Sequence, residues 1–572
     1  MRRADAIVMA AYFLTMITIG IRYSRFMKSS DMYFAGGKQI SWWLGGVSLV
    51  MSYVSALSII VYAGLGFRYG LVALTLYWVS VPGILVATWL FARRWRRARV
   101  ITPTEFLEKR FSSSVQQVLA WSGMPLRIID EGLKLVAIGM FASTVLNIPA
   151  WKAILCAGVT IILYSTLGGL WAVVVTDFVQ FVLVSGAVAI LLPLTLRTAG
   201  GWQHFKTGMP AHFFAVVHKP FGWFYIGSFL VLNTISLSGN WSLIQKFYSV
   251  RTDREARQVG WLAGALFFLL PPFWIVTGVF ARGFIPAEGI DPQTIYARVS
   301  ANLLPPGVLG TMMAALFAAT MSVLSSGYNV ISSVLTMDVY RPLVRPDASQ
   351  RELVLAGRML TIGVGVVALG VGLAVAYFRW TIFDTMVTAY GFFLPPTVLP
   401  MLGGLLSRRL SSGGVLVGLF GGVVIGLGFI VARSLFEPEP YGLFAAASLV
   451  GPAVGTMLVL MFAALVFPAK GNAATAASDF IAGLARPAIA VEDNMPSPLP
   501  IAGLVVGIMG LVLAIVGFGL VSGDRFNLLT VSVGISFLAV GLFIALGHKR
   551  HLFQGKNRIV VPQTADSTPQ CN

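Results

Sequence analysis

Runs of about 20 apolar residues recur along nearly the whole chain, each long enough to cross roughly 30 Å of hydrocarbon at about 1.5 Å per residue. They fall near 5–25, 42–66, 70–93, 117–146, 150–168, 171–196, 222–245, 258–281, 306–337, 354–376, 380–405, 413–433, 441–467, 499–521 and 527–546, fifteen in all. Inside lipid every backbone N–H and C=O must be satisfied within the protein, so such a chain has one practical solution, an all-α polytopic bundle. Composition agrees: 11% of the 572 residues are charged, against about 25% in a soluble domain. A soluble enzyme, a nucleic-acid-binding module and a disordered scaffold are thereby excluded. The first run follows Arg2 and Arg3, as in a signal peptide, but it lacks an obvious small-residue cleavage site and reads as a retained helix.

The formal charge of +19 is read as loop charge rather than as a nucleic-acid footprint. Arg22, Arg25, Lys28 and Lys38 fall in the first loop, and Arg93, Arg94, Arg96, Arg97, Arg99, Lys109 and Arg110 in the third. Lys246, Arg251, Arg254 and Arg257, then Arg341, Arg345 and Arg351, then Arg408 and Arg409 continue the pattern. An outside N-terminus puts them all on the cytoplasmic side of a cell membrane and leaves the C-terminus cytoplasmic. The segment 468–498 and the tail 551–572 read as flexible and cytoplasmic. Cys156 and Cys571 are the only cysteines, so no disulfide framework or metal-ligand spacing follows.

Three features interrupt this apolar pattern. The second span carries Ser52, Tyr53, Ser55, Ser58, Gly64 and Gly66, and the seventh carries Asn233, Thr234, Ser236, Ser238, Gly239, Asn240 and Ser242. Interrupted helices at matching places in two halves, an odd number of spans apart, are the mark of an inverted repeat with its sites at the breaks. Small residues that merely permit close packing are the bland alternative. In the ninth span Ser322, Ser325, Ser326, Asn329, Ser332, Ser333 and Thr336 recur every three or four residues, a hydroxyl stripe suited either to packing or to a hard alkali cation. Ionisable groups within spans, each costing roughly 2.5–3.5 kcal/mol at the helix centre, are the third. Asp177 lies in an apolar run with no basic residue near it in sequence, so a cation is its natural partner. Arg127, Asp130, Glu131 and Lys134 have spacings that allow two i,i+4 ion pairs, 127/131 and 130/134. The five histidines lie in loops or at span ends, and no metalloprotease, nucleophile-elbow or phosphate-loop pattern is present. A carrier fits better than an enzyme or a pore.

Ordered motifs over about residues 1–410 make the chain resemble the sodium:solute symporter family. They are Tyr-Phe-Ala-Gly-Gly-Lys at 33–38 with Ser-Trp-Trp at 41–43, Thr-Pro-Thr-Glu-Phe-Leu-Glu-Lys-Arg-Phe at 102–111, and Leu-Gly-Gly-Leu-Trp-Ala-Val-Val-Val-Thr-Asp-Phe-Val-Gln at 167–180. Asn-Trp-Ser-Leu-Ile-Gln-Lys at 240–246, Ala-Ala-Thr-Met-Ser-Val-Leu-Ser-Ser-Gly-Tyr-Asn at 318–329 and Thr-Met-Asp-Val-Tyr at 336–340 complete the set. The resemblance implies a 5+5 inverted-repeat core like that of the bacterial leucine transporter. The chain then divides into an N-terminal helix and loop (1–41), a first repeat (42–199), an external loop (200–221), a second repeat (222–405) and additional C-terminal helices (406–550).

The resemblance also implies alternating access driven by sodium, with no other cofactor. The family's common sodium site maps onto the carbonyls of Met51, Val54 and Ala319 and the hydroxyl of Ser322. Its second hydroxyl position is Val323, a departure that removes a ligand. A further site known in some members maps onto Asp177, Ser325 and Ser326, near Ser322, and the coupling ion is expected to rely on it. The solute pocket maps onto Ser58, Tyr77, Ser80, Glu131, Asn240 and Thr388, a set suited to a neutral hydroxylated solute such as a sugar or polyol. Pro395 and Pro396 are expected to break the eleventh span into a flexible gate. A proton in place of sodium, and a transporter-like sensor, are the alternatives.

Overall fold

The computed structural model describes residues 3–24, 30–436, 441–488, 499–519 and 524–547. Arg25, Lys28, the end of the 468–498 segment and the 551–572 tail lie outside the described residues. Regular structure among the described residues is helical, apart from isolated bridges such as Ile40 with Val250.

Among the described residues, ten helices are long and apolar enough to cross a membrane, and one bent pair makes eleven. The sequence gives four more. The first run is the helix Arg3–Ser24. The fourth is the helix Ser113–Leu146, which carries the Arg127–Lys134 charges in its middle. The fifth lies at the start of the helix Ala150–Thr198, and the seventh, Trp223–Gly239, is apolar but shorter. The charges at 127–134 lower the hydropathy of Ser113–Leu146, and the break at Gly239 shortens the seventh run.

The fifth and sixth runs form a continuous helical stretch, Ala150–Thr198. The Tyr164 hydroxyl nevertheless lies 2.7 Å from Thr176 Oγ1. Twelve residues of straight helix would separate these positions by about 18 Å. The stretch therefore bends sharply between them rather than running straight.

Val308–Val334 is the central element. Within the span that contains it, 94% of the apolar window is buried, against 28% for Ser412–Phe436 and for Leu443–Val466. A helix hydrophobic on all sides and carrying a hydroxyl stripe can be satisfied only where neighbours supply partners, which places it inside. Its N-terminus is capped from the first helix. The carboxylate of Asp5, 1% exposed, accepts from the backbone N–H of Gly307 (2.7 Å) and Gly310 (2.9 Å). An acid at the positive end of a helix is favourable there.

The basic loop residues are clasps as well as charges. Arg97 pairs with Asp253 at 2.7 Å and donates to the carbonyls of Leu484 and Ala485 at 3.0 Å. Arg96 donates to the carbonyl of Arg251, which in turn donates to Gln39 O. Arg110 holds the carbonyls of Ser407 and Leu410. These loops thus meet on one face of the bundle.

Three expectations change. Part of the segment read as flexible is the helix Asn472–Ala485, whose Ala477 and Leu484 are buried. Pro395 and Pro396 do not break their span: Ile382–Leu406 is continuous with three internal prolines, since neighbouring helices and hydroxyls can re-satisfy freed carbonyls. Lys246, read as a loop charge, is 1% exposed and sits within the helix Trp241–Tyr248.

Candidate functional site: a carboxylate at one helix break and a charged cavity at the other

The second span breaks between Trp42–Met51 and Ala56–Tyr69, which meet at 59°. Ser55 and Ser58 form a capping box at the start of the second segment: Ser58 Oγ accepts from Ser55 N–H at 3.0 Å, and donates to Ser55 O at 2.8 Å. The N–H of Ala56 donates to Thr320 Oγ1 at 3.1 Å on the central helix. Hydroxyls thus supply the partners that a helix end in lipid would lack.

Asp177 is fully buried beside this break. Its two carboxylate oxygens accept from different elements, Oδ2 from Ser48 and Oδ1 from Ser322. Ser322 also lies 3.0 Å from Met51 O, the last residue of the first half-helix. Ser52 donates to Ser326 at 3.2 Å, and Ser325 turns onto Ser322 O at 3.0 Å. Val54 and Ala319 are buried nearby in the break and on the central helix, 2% and 0% exposed. One carboxylate, several hydroxyls and the backbone oxygens at the helix break make a hard-oxygen environment, the kind that suits an alkali or alkaline-earth cation rather than a soft metal. Val323 contributes no oxygen. Ser48 was not singled out in the sequence, although it stands one helical turn before Ser52 in an apolar run, which is the signal that finds it.

The seventh span ends its first segment at Gly239. Asn240 is extended, and its Oδ1 accepts from Ser242 N–H (2.9 Å) and Leu243 N–H (3.2 Å) to start Trp241–Tyr248. Arg127 closes the other side: it donates to Gly239 O at 3.2 Å and stacks 3.6 Å from the Trp241 ring centroid. The expected 127/131 ion pair is therefore absent, because the guanidinium is held by Gly123 O, Gly239 O and the indole. The 130/134 pair forms at 2.7 Å, and Lys134 also reaches Glu131 at 3.1 Å. Tyr390 donates to Asp130 at 2.7 Å.

Arg127, Asp130, Glu131, Ser236, Asn240 and Tyr390 are among the residues around a cavity of about 30 Å³, room for about one water. Of the residues assigned to solute, Glu131 and Asn240 line it. Ser58 is occupied in its cap, and Tyr77 is buried against Tyr62 and Trp274. Ser80 reaches Asn233 Oδ1 at 3.4 Å, which also accepts from Tyr53 at 3.1 Å. Thr388 is exposed and lines a different cavity with Phe392, Gly426 and Arg433. Its helix turns it away from Glu131. Asp130, Tyr390 and Arg127 take its place in the central cavity.

The family profile named sodium:solute symporter family matches residues 33–422. A sodium/glucose cotransporter of Vibrio parahaemolyticus is 27% identical over 470 residues, 74% of this chain and 84% of that protein. The rat sodium/myo-inositol cotransporter 2 is 26% identical over 479 residues, 75% of this chain and 70% of that protein. A substrate-bound, outward-open structure of a Na+-coupled sialic acid symporter shares the fold, with a TM-score of 0.69 at 18% identity, over 82% of this chain and 99% of that one. These relatives are transporters rather than enzymes, and the match spans both helix breaks, the Asp177 helix and the central helix. The chain belongs to the sodium:solute symporter family.

Proposed function

We propose that the chain is a secondary active transporter in which sodium bound at Asp177 drives uptake of a small, neutral, hydroxylated organic solute, such as a sugar or polyol, by alternating access. The observation that carries the sodium assignment is the junction at Asp177, where hydroxyls from the broken second span and from the central helix meet on one buried carboxylate. Ser322, with Met51 O behind it, links this carboxylate to the break, Ser325 bonds Ser322 O, Ser326 accepts from Ser52, and Val54 and Ala319 are buried in the break and on the central helix. A cation there gains a charge partner and ties together elements that must move apart for release.

The solute reading draws on the glucose and inositol transporters among the relatives and on Asn240 and Glu131 at the central cavity. That cavity is too small for any organic solute, so the helices around it must part to admit one. Energetics allow the cycle: one charge moved through 100 mV gains about 2.3 kcal/mol, enough for roughly 50-fold accumulation. Val323, in place of a second hydroxyl, favours a proton as the second reading.

The test is uptake into proteoliposomes under an inward sodium gradient, with labelled glucose and myo-inositol, against a proton gradient and against choline. Sodium-dependent accumulation supports the reading. Accumulation driven by the proton gradient alone transfers the coupling to the proton, and binding without flux makes the protein a sensor.

A further inference from the structure

Lys246 lies in the short helix that follows the second break, with 1% of its surface exposed and no hydrogen-bond partner for its ammonium. A lysine near a membrane face ordinarily extends its stem and leaves the charge in water. Lys246 does not, and three donors are left unmet in a low-dielectric interior, which is costly unless something offsets the charge. Its helix packs against Trp42–Met51 and Val308–Val334, the two elements whose Ser48 and Ser322 hold Asp177. That packing brings the Lys246 charge within electrostatic reach of Asp177. The ammonium has no hydrogen-bond partner and both carboxylate oxygens accept from serines, so the two charges do not pair directly.

We propose that Lys246 is a built-in rival of the coupling sodium ion. Its ammonium balances Asp177 when the site is empty and repels sodium when the site is full. The inference rests on the reading of Asp177 as the sodium carboxylate. The consequence is a sodium site held weak enough to empty on the low-sodium side, and an unloaded carrier that does not carry an unbalanced buried charge. A lysine with a purely structural role predicts the opposite sign, because removing it would loosen the site and weaken the ion. Loss of one neighbouring positive charge from a buried site should instead tighten sodium by at least about tenfold.

The test is thermal unfolding of the purified full chain, titrated with sodium chloride against choline chloride at constant ionic strength. A cation that binds only the folded state raises its stability by mass action, so the midpoint of the rise reports affinity. Lys246→Met and Lys246→Gln are expected to lower the sodium midpoint at least about tenfold, while Lys246→Arg, which keeps the charge, stays within about threefold of wild type. An unchanged or raised midpoint in whichever neutral variant folds overturns the proposal. Failure of the underlying reading looks different: wild type shows no sodium response, or Asp177→Ala retains one, and either result removes the inference as well.

Discussion

The two helix breaks use one backbone device with opposite electrostatics. At 52–55 the freed backbone is met by hydroxyls, and the nearby fixed charge is the carboxylate of Asp177. At Gly239–Asn240 the chain is closed by an amide cap and by the guanidinium of Arg127, and the buried ammonium of Lys246 follows within two turns. A break presents carbonyls at one end and N–H groups at the other, so it can favour either sign of ligand. The surrounding side chains decide. The first break offers oxygen and negative charge. The second fills its carbonyl end with a donor and turns its polar residues toward a cavity that also holds Asp130 and Glu131.

This contrast can be broken experimentally. The largest effect is expected for Asp177→Ala, which should abolish sodium-dependent stabilisation, seen as identical melting curves in sodium and choline; a surviving sodium shift would place the cation elsewhere. Next is Val323→Ser, which restores a hydroxyl beside Ser322. It should lower the sodium midpoint about three- to tenfold, the effect of roughly one added favourable contact. Asn240→Ala removes the cap of the second break and should cost about 1 kcal/mol of stability, read as a lower melting temperature with an unchanged sodium midpoint. If that variant moves the sodium midpoint instead, the two breaks are not electrostatically separate. The smallest effect is expected for Thr388→Ala, which faces a separate cavity and should leave sodium-driven uptake within about twofold of wild type.

Much of this arrangement could be read from local sequence. Periodicity and apolar length mark most of the spans, and polar residues inside apolar runs mark both breaks and Asp177. The central helix announces itself by Ser322, Ser325 and Ser326 in a stretch with no lipid-compatible face. Long-range choices are less legible. The spacing of Arg127 and Glu131 permits an ion pair, but spacing cannot reveal that Trp241 and Gly239 O, from a distant span, take the guanidinium. Lys246 follows a break with polar residues and resembles a loop charge until its helix is seen packed against Trp42–Met51. Ser58 and Thr388 have suitable chemistry for a solute, but which way a helix turns its residues depends on neighbours over a hundred positions away. Pro395 and Pro396 carry a strong local signal for a break, and packing overrides it.

The Asp5 carboxylate, fastened to the backbone of Gly307 and Gly310, has a mechanical meaning. The first helix precedes both halves of the proposed repeat, yet it is bolted to the head of the helix that carries Ser322. Any displacement of that helix during the transport cycle is handed to the first one, near the protein's surface. A fluorophore or spin label on the exposed Leu14 side of Arg3–Ser24 would therefore act as an external pointer to a movement at the proposed ion site, without a probe ever entering it.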